Sequence, residues 1–113
     1  MTEPLHQTLA QGKWHTMTLA NQLANVGSEF SRAYRARQSQ NNARFDHAFS
    51  RMMELLCLTT SDPRWTGLRK QELCRLKEVI CEGFFGDAAN LAAVASLERY
   101  FYYFGVEARA QSG

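Results

Sequence analysis

From Thr16 onward, apolar residues recur along the chain at steps of three and four, beginning with Leu19, Leu23, Val26, Phe30 and Ala33. At about 100° per residue this spacing holds one helical face toward a core, which predicts a first helix from Thr16 to Gln38. Thr16 or Thr18 can cap its start, the hydroxyl accepting an early backbone N–H. Gly27 falls beside the seam, where the missing side chain costs about 1 kcal/mol of helix propensity but lets another helix approach closely.

A second helix is predicted over Asn42–Thr59, with Phe45, Ala48, Phe49, Met52, Leu55, Leu56 and Thr59 on a wide apolar face. Ser61, Asp62 and Pro63 end it, because the residue before a proline is pushed away from helical angles. The third helix, Thr66–Phe85, directs Leu68, Leu73, Leu76, Val79, Ile80 and Phe84 inward, and Gly86 is placed to end it as a left-handed residue with Asp87 capping the next. The fourth, from Ala88 or Ala92 to Glu107, carries Val94, Leu97, Phe101 and Phe104 within a sector of about 80°. Residues 1–15 lack sustained periodicity and read as an N-terminal arm, with Pro4 starting a short turn that carries Leu5 and Leu9. The expected fold is therefore all-α: an antiparallel four-helix bundle over 16–113 preceded by that arm.

One segment exceeds what a bundle core needs. Tyr100, Phe101, Tyr102, Tyr103 and Phe104 are five consecutive aromatic residues, and they point all the way around a helix. Phe101 and Phe104 take the core, while Tyr102 and Tyr103 fall more than about 100° from its centre. Aromatic clusters are the usual anchors of subunit contacts, so Tyr100, Tyr102 and Tyr103, with Phe84 and Phe85 expected beside them, form a candidate homo-oligomer interface.

Composition narrows the class. With 45% apolar and 21% charged residues, the chain suits a globular domain rather than a disordered one. No stretch reaches the roughly 18 apolar residues of a membrane span, and the basic and apolar blocks of a signal peptide are missing, which sets the expectation of a cytoplasmic protein without a membrane partner. Cys57, Cys74 and Cys81 lie in helical patterns without a Cys-x-x-Cys pair and read as reduced, buried hydrophobes.

Catalytic chemistry has little to stand on. Glu3 and His6 supply a single Glu-x-x-His spacing where a di-iron bundle needs two, and His15 and His47 have no ligand partners at suitable spacing, so no metal or cofactor is expected. No histidine lies near Cys74 or Cys81 in sequence to activate a thiol, and phosphate-binding glycine loops are missing. Met52 and Met53 read as adaptable core filling. A rival reading makes Met52, Met53 and Cys57 the lining of a small-ligand or enzymatic pocket between helices.

Charge is more informative. The net charge is only +2, yet residues 32–77 hold ten basic side chains against four acidic ones. Arginine grips phosphate bidentately and a basic surface releases counterions from a nucleic acid, which makes Arg35, Arg37, Arg44, Arg51, Arg69 and Lys70 the candidate nucleic-acid contacts. Arg35 and Arg37 point about 160° apart on a helix, so they do not share one stripe.

The run Leu19-Ala20-Asn21-Gln22-Leu23-Ala24-Asn25-Val26-Gly27-Ser28-Glu29, together with Phe45 to Leu58 and its Arg51-Met52-Met53-Glu54-Leu55-Leu56 centre, resembles the middle helices of a bacterial four-helix-bundle group. That group comprises proteins encoded in intervening sequences of large-subunit ribosomal RNA genes and accessory proteins of diversity-generating retroelements. The resemblance implies a non-enzymatic bundle that assembles into a ring, a pentamer, whose basic surface contacts nucleic acid or a reverse transcriptase. The chain departs from the group in having 15 weakly patterned residues where members carry a full helix.

Overall fold

A computed structural model describes residues 12–86 and 91–112. After a single 3-10 turn at Trp14–Thr16 come α1 (Leu19–Gln38), α2 (Asn42–Thr60), α3 (Gly67–Phe85) and α4 (Leu91–Ser112). The expectations for Pro4, Leu5 and Leu9, and for Asp87 as a cap, lie outside the described residues.

Local chemistry sets the helix starts. Thr18 Oγ1 accepts the backbone N–H of Asn21, and Asn41 Oδ1 accepts that of Arg44, so α1 and α2 each have one otherwise orphaned N–H satisfied by a side chain. At the far end of α3 the expected left-handed residue is corrected: Gly86 has φ −70° and ψ 163°, an extended conformation open to any residue. Glycine is needed there for space, because a Cβ would stand 2.5 Å from the Glu82 carbonyl oxygen that Gly86 N–H binds at 2.8 Å.

The helices pack in sequence order, α1 on α2, α2 on α3 and α3 on α4, and α4 closes the ring against α1. The α1 face contacts α2 and α4 far more extensively than α3 does. Gly27 explains how α4 gets so near: a Cβ there would meet Phe101 Cβ at 2.7 Å, so only glycine admits the helix at this point. Phe30 stands at the middle, fully buried, with its ring 5.2 Å from Phe101 and 5.6 Å from Phe84. Phe84 in turn meets Phe45 edge-on at 5.2 Å, so one aromatic chain ties all four helices. Each such buried side chain contributes about 1.5–3 kcal/mol relative to exposure.

Several expectations about facing are corrected. Leu68 is 78% exposed, because five residues of helix place it about 140° from Leu73, away from the buried line Leu73, Leu76, Ile80 and Phe84. Cys74 and Cys81 each follow a member of that line by one residue and so turn about 100° off it. Cys74 and Cys57 are exposed and Cys81 half-buried. Trp14, read as part of the arm, is buried in the core beside α2.

One end of the bundle is closed by a polar clasp. Trp14 Nε1 donates to Thr59 Oγ1 at 3.1 Å, and the buried Gln22 Nε2 donates to Trp14 O at 2.8 Å and to Asp62 Oδ2 at 2.9 Å. Trp65 Nε1 donates to Gln22 Oε1 at 2.8 Å. Arg64 grips Asp62 with Nε and Nη2, and Nη2 also donates to Met17 O at 2.6 Å. These donors, Arg64 first and then Gln22, outweigh the effect of burial and hold the Asp62 carboxyl well below the usual carboxylate range. The clasp joins the segment before α1 to the α2–α3 connection across more than 40 residues of sequence, which fixes how the ends of three elements meet.

Candidate nucleic-acid interface

Antiparallel packing of α1 on α2 lays two polar stripes side by side. Glu29, Arg32 and Arg35 project from α1 at helical spacing, with Ser39 just past its end, and Arg44, His47 and Arg51 from α2, along a groove of roughly 670 Å³. Ala36 and Ala48 form its apolar base, both about 5% exposed. Arg35, Arg44 and His47 are exposed along the rim.

The floor is different. Glu29 is 4% exposed, although carboxylates are rarely buried unless paired. Its Oε1 accepts from Arg32 Nη1 at 2.7 Å and stands 3.5 Å from Arg51 Nη2. Glu29 Oε2 and Arg51 Nε, both buried, have no hydrogen-bond partner in the protein. One acceptor and one donor are therefore held unsatisfied beneath a rim of positive charge.

The six candidate basic residues do not form one patch. Arg35, Arg44 and Arg51 meet in the groove. Arg37 leaves it: its guanidinium lies 3.8 Å from the Phe45 ring centroid and 5.4 Å from that of Phe85, a cation–π arrangement on the other side of α2. Arg69 and Lys70 are exposed on the first turn of α3, with Lys70 in a shallow depression beside Cys74 and Arg75. Glu29, Arg32 and His47 lie outside the six candidate contacts named from the sequence, where His47 figures only as a histidine without ligand partners. The available signal was spacing, since 29 and 32, then 44, 47 and 51, each follow one helical face.

The aromatic candidates also divide. Tyr102 and Tyr103 are 70% and 64% exposed, and Tyr100 is 41% exposed. Tyr103 and Tyr100 meet Phe104 edge-on at 5.7 and 5.0 Å. Partial burial, helped by the charge of Glu72 and opposed by Arg69, pushes the Tyr100 phenol up. Phe84 and Phe85 turn instead to α2, where Phe85 meets Phe49 at 5.1 Å and Phe45 at 5.8 Å, and Phe84 is buried in the core. The expectation that these two rings lie beside Tyr102 and Tyr103 is corrected on that geometry: the end of α3 leans on α2, while the tyrosines stand on the outer side of α4.

Met52 is fully buried, Met53 packs against the core and Cys57 faces outward, accepting a 3.7 Å contact from Lys77 Nζ. Among the described residues, no group of three or more His, Cys, Asp or Glu could hold a metal ion, and no helix is long and apolar enough to cross a membrane. Comparison with protein-family models, curated proteins and solved structures found no match to this chain.

Proposed function

We propose that this chain is a non-catalytic, self-associating helical bundle that acts as a cytoplasmic assembly or adaptor module and holds RNA or DNA in the α1–α2 groove. The observation that carries the reading is the convergence of Arg32, Arg35, Arg44, His47 and Arg51 on one groove that Glu29 alone opposes. Guanidinium groups spaced along such a groove suit a phosphate backbone, each contact releasing counterions. Self-association rests on the exposed Tyr102 and Tyr103 of α4. The resemblance to the intervening-sequence and retroelement accessory group adds a ring of five and a reverse transcriptase as partner to the reading.

Two measurements test it. Labelled RNA binds at low salt and is released steeply as salt rises; no binding at low salt removes the nucleic-acid role. Light scattering gives a mass above that of one chain, and Tyr102→Ser with Tyr103→Ser lowers it. A single-chain mass for both proteins removes self-association.

A further inference from the structure

We infer that the groove reads unpaired bases: phosphates ride on its rim arginines while a base edge reaches the floor and donates to Glu29 Oε2. This rests on the nucleic-acid reading above and gives it a ligand class, single-stranded rather than duplex.

The floor excludes a phosphate. A carboxylate 4% exposed repels any anion brought against it, so the backbone is confined to the exposed rim guanidinium groups of Arg32, Arg35 and Arg44. The unpartnered atoms are one acceptor, Glu29 Oε2, and one donor, Arg51 Nε, on two groove-lining side chains that approach to 3.5 Å at Oε1 and Nη2, so a ligand that satisfies both brings an N–H and a hydrogen-bond acceptor. Nucleobases carry that combination on their Watson–Crick edges, a donor N–H beside a carbonyl oxygen or ring nitrogen. A duplex hides those edges in pairing, and an unpaired strand offers them, which is how sequence-reading RNA modules reach bases. The groove volume of roughly 670 Å³ falls within the range that encloses a small ligand, about 300–1,000 Å³.

Access is through Arg32. It closes over Glu29 with a 2.7 Å contact, yet its side chain is 61% exposed, so a phosphate at the rim competes for the same guanidinium. Drawing Arg32 outward uncovers the carboxylate as the base arrives. The planar guanidinium groups that remain also supply stacking surfaces for the base.

The test uses the full chain and three labelled probes of equal length: a mixed-sequence single strand, the same strand in a duplex, and a backbone of abasic tetrahydrofuran units. The single strand is expected to bind at least about tenfold more tightly than the abasic backbone, the discrimination of one good base contact. Equal binding of the two would overturn the inference and leave the phosphate reading intact, whereas no binding by any probe removes both. Glu29→Gln then separates recognition from repulsion. With its charge gone, affinity for the abasic backbone should rise while that for the base-bearing strand does not, collapsing the ratio toward one. A Glu29→Gln protein that gains equally on all three probes would show a carboxylate that only repels. The abasic comparison needs no variant, and melting followed by circular dichroism shows whether Glu29→Gln retains its helices.

Discussion

The clasp and the groove each bury a carboxylate and grip it with arginine, but they finish the task differently. Asp62 is 1% exposed and accepts from Arg64, from the Arg64 backbone N–H and from Gln22, and Gln22 is itself saturated by Trp14 and Trp65. Glu29 is nearly as buried, yet one of its oxygens and the Arg51 Nε beneath the same rim have no protein partner. Unpaired buried polar atoms cost about 1–3 kcal/mol each. A network closed on every atom holds elements together, whereas one left open at a surface groove has hydrogen-bonding capacity to give to a ligand.

The contrast breaks most readily at the clasp. Arg64→Ala strands the Asp62 carboxylate; a fully buried charge stripped of its partner costs about 3–5 kcal/mol, and partial exposure of Arg64 lowers the expectation to about 2–3 kcal/mol by urea unfolding. A loss under about 0.5 kcal/mol would put the clasp in the class of ordinary surface ion pairs. Acid probes the same pair: because the folded-state pKa of Asp62 lies below its unfolded value, its stabilisation is complete above that unfolded value, near 4, and is lost progressively as pH falls from there through the lower folded-state value. Wild-type stability should therefore drop below about pH 4 more steeply than that of Arg64→Ala. Parallel curves would contradict the assignment.

Gly27→Ala serves as a packing control on the side of α1 that faces α4, about 160° around the helix from Glu29 and outside the groove. Its new methyl meets Phe101 Cβ at 2.7 Å, and overpacking of this kind costs about 1–3 kcal/mol, offset by up to about 1 kcal/mol of helix propensity. A variant more stable than wild type in thermal melts would mean α4 can shift away freely. Glu29→Gln should move stability least, within about 1 kcal/mol, since it removes a charge whose hydrogen bonding is already incomplete. A loss as large as that of Arg64→Ala would make Glu29 a structural group like Asp62.

Reading the sequence located the helices because their seams repeat at 3.6-residue period, and Gly27 was legible as a close approach because it sits beside such a seam. The clasp was not legible. Thr59 falls on the apolar face of α2, but its partners Trp14, Gln22, Asp62, Arg64 and Trp65 belong to no apolar stripe, and they meet only once α1 and α2 are packed. The groove was half legible: a charge window along the chain collects Arg35, Arg44 and Arg51 together with Arg37, Arg69 and Lys70, but takes no account of the 100° turn per residue that sends Arg37 onto Phe45. Cys74, Cys81 and Leu68 were misplaced for the same reason, lying beside or opposite the buried line of α3 rather than on it.

The salt dependence of single-strand binding tests the groove most directly. For single strands the slope of log affinity against log salt is about −0.7 per phosphate neutralised, so Arg35→Gln with Arg44→Gln should flatten it by about 1.4. Arg69→Gln with Lys70→Gln, outside the groove, should leave the slope unchanged. The opposite outcome, with the α3 pair flattening the slope and the groove pair leaving it as it was, would place the nucleic acid elsewhere on the bundle and contradict the account.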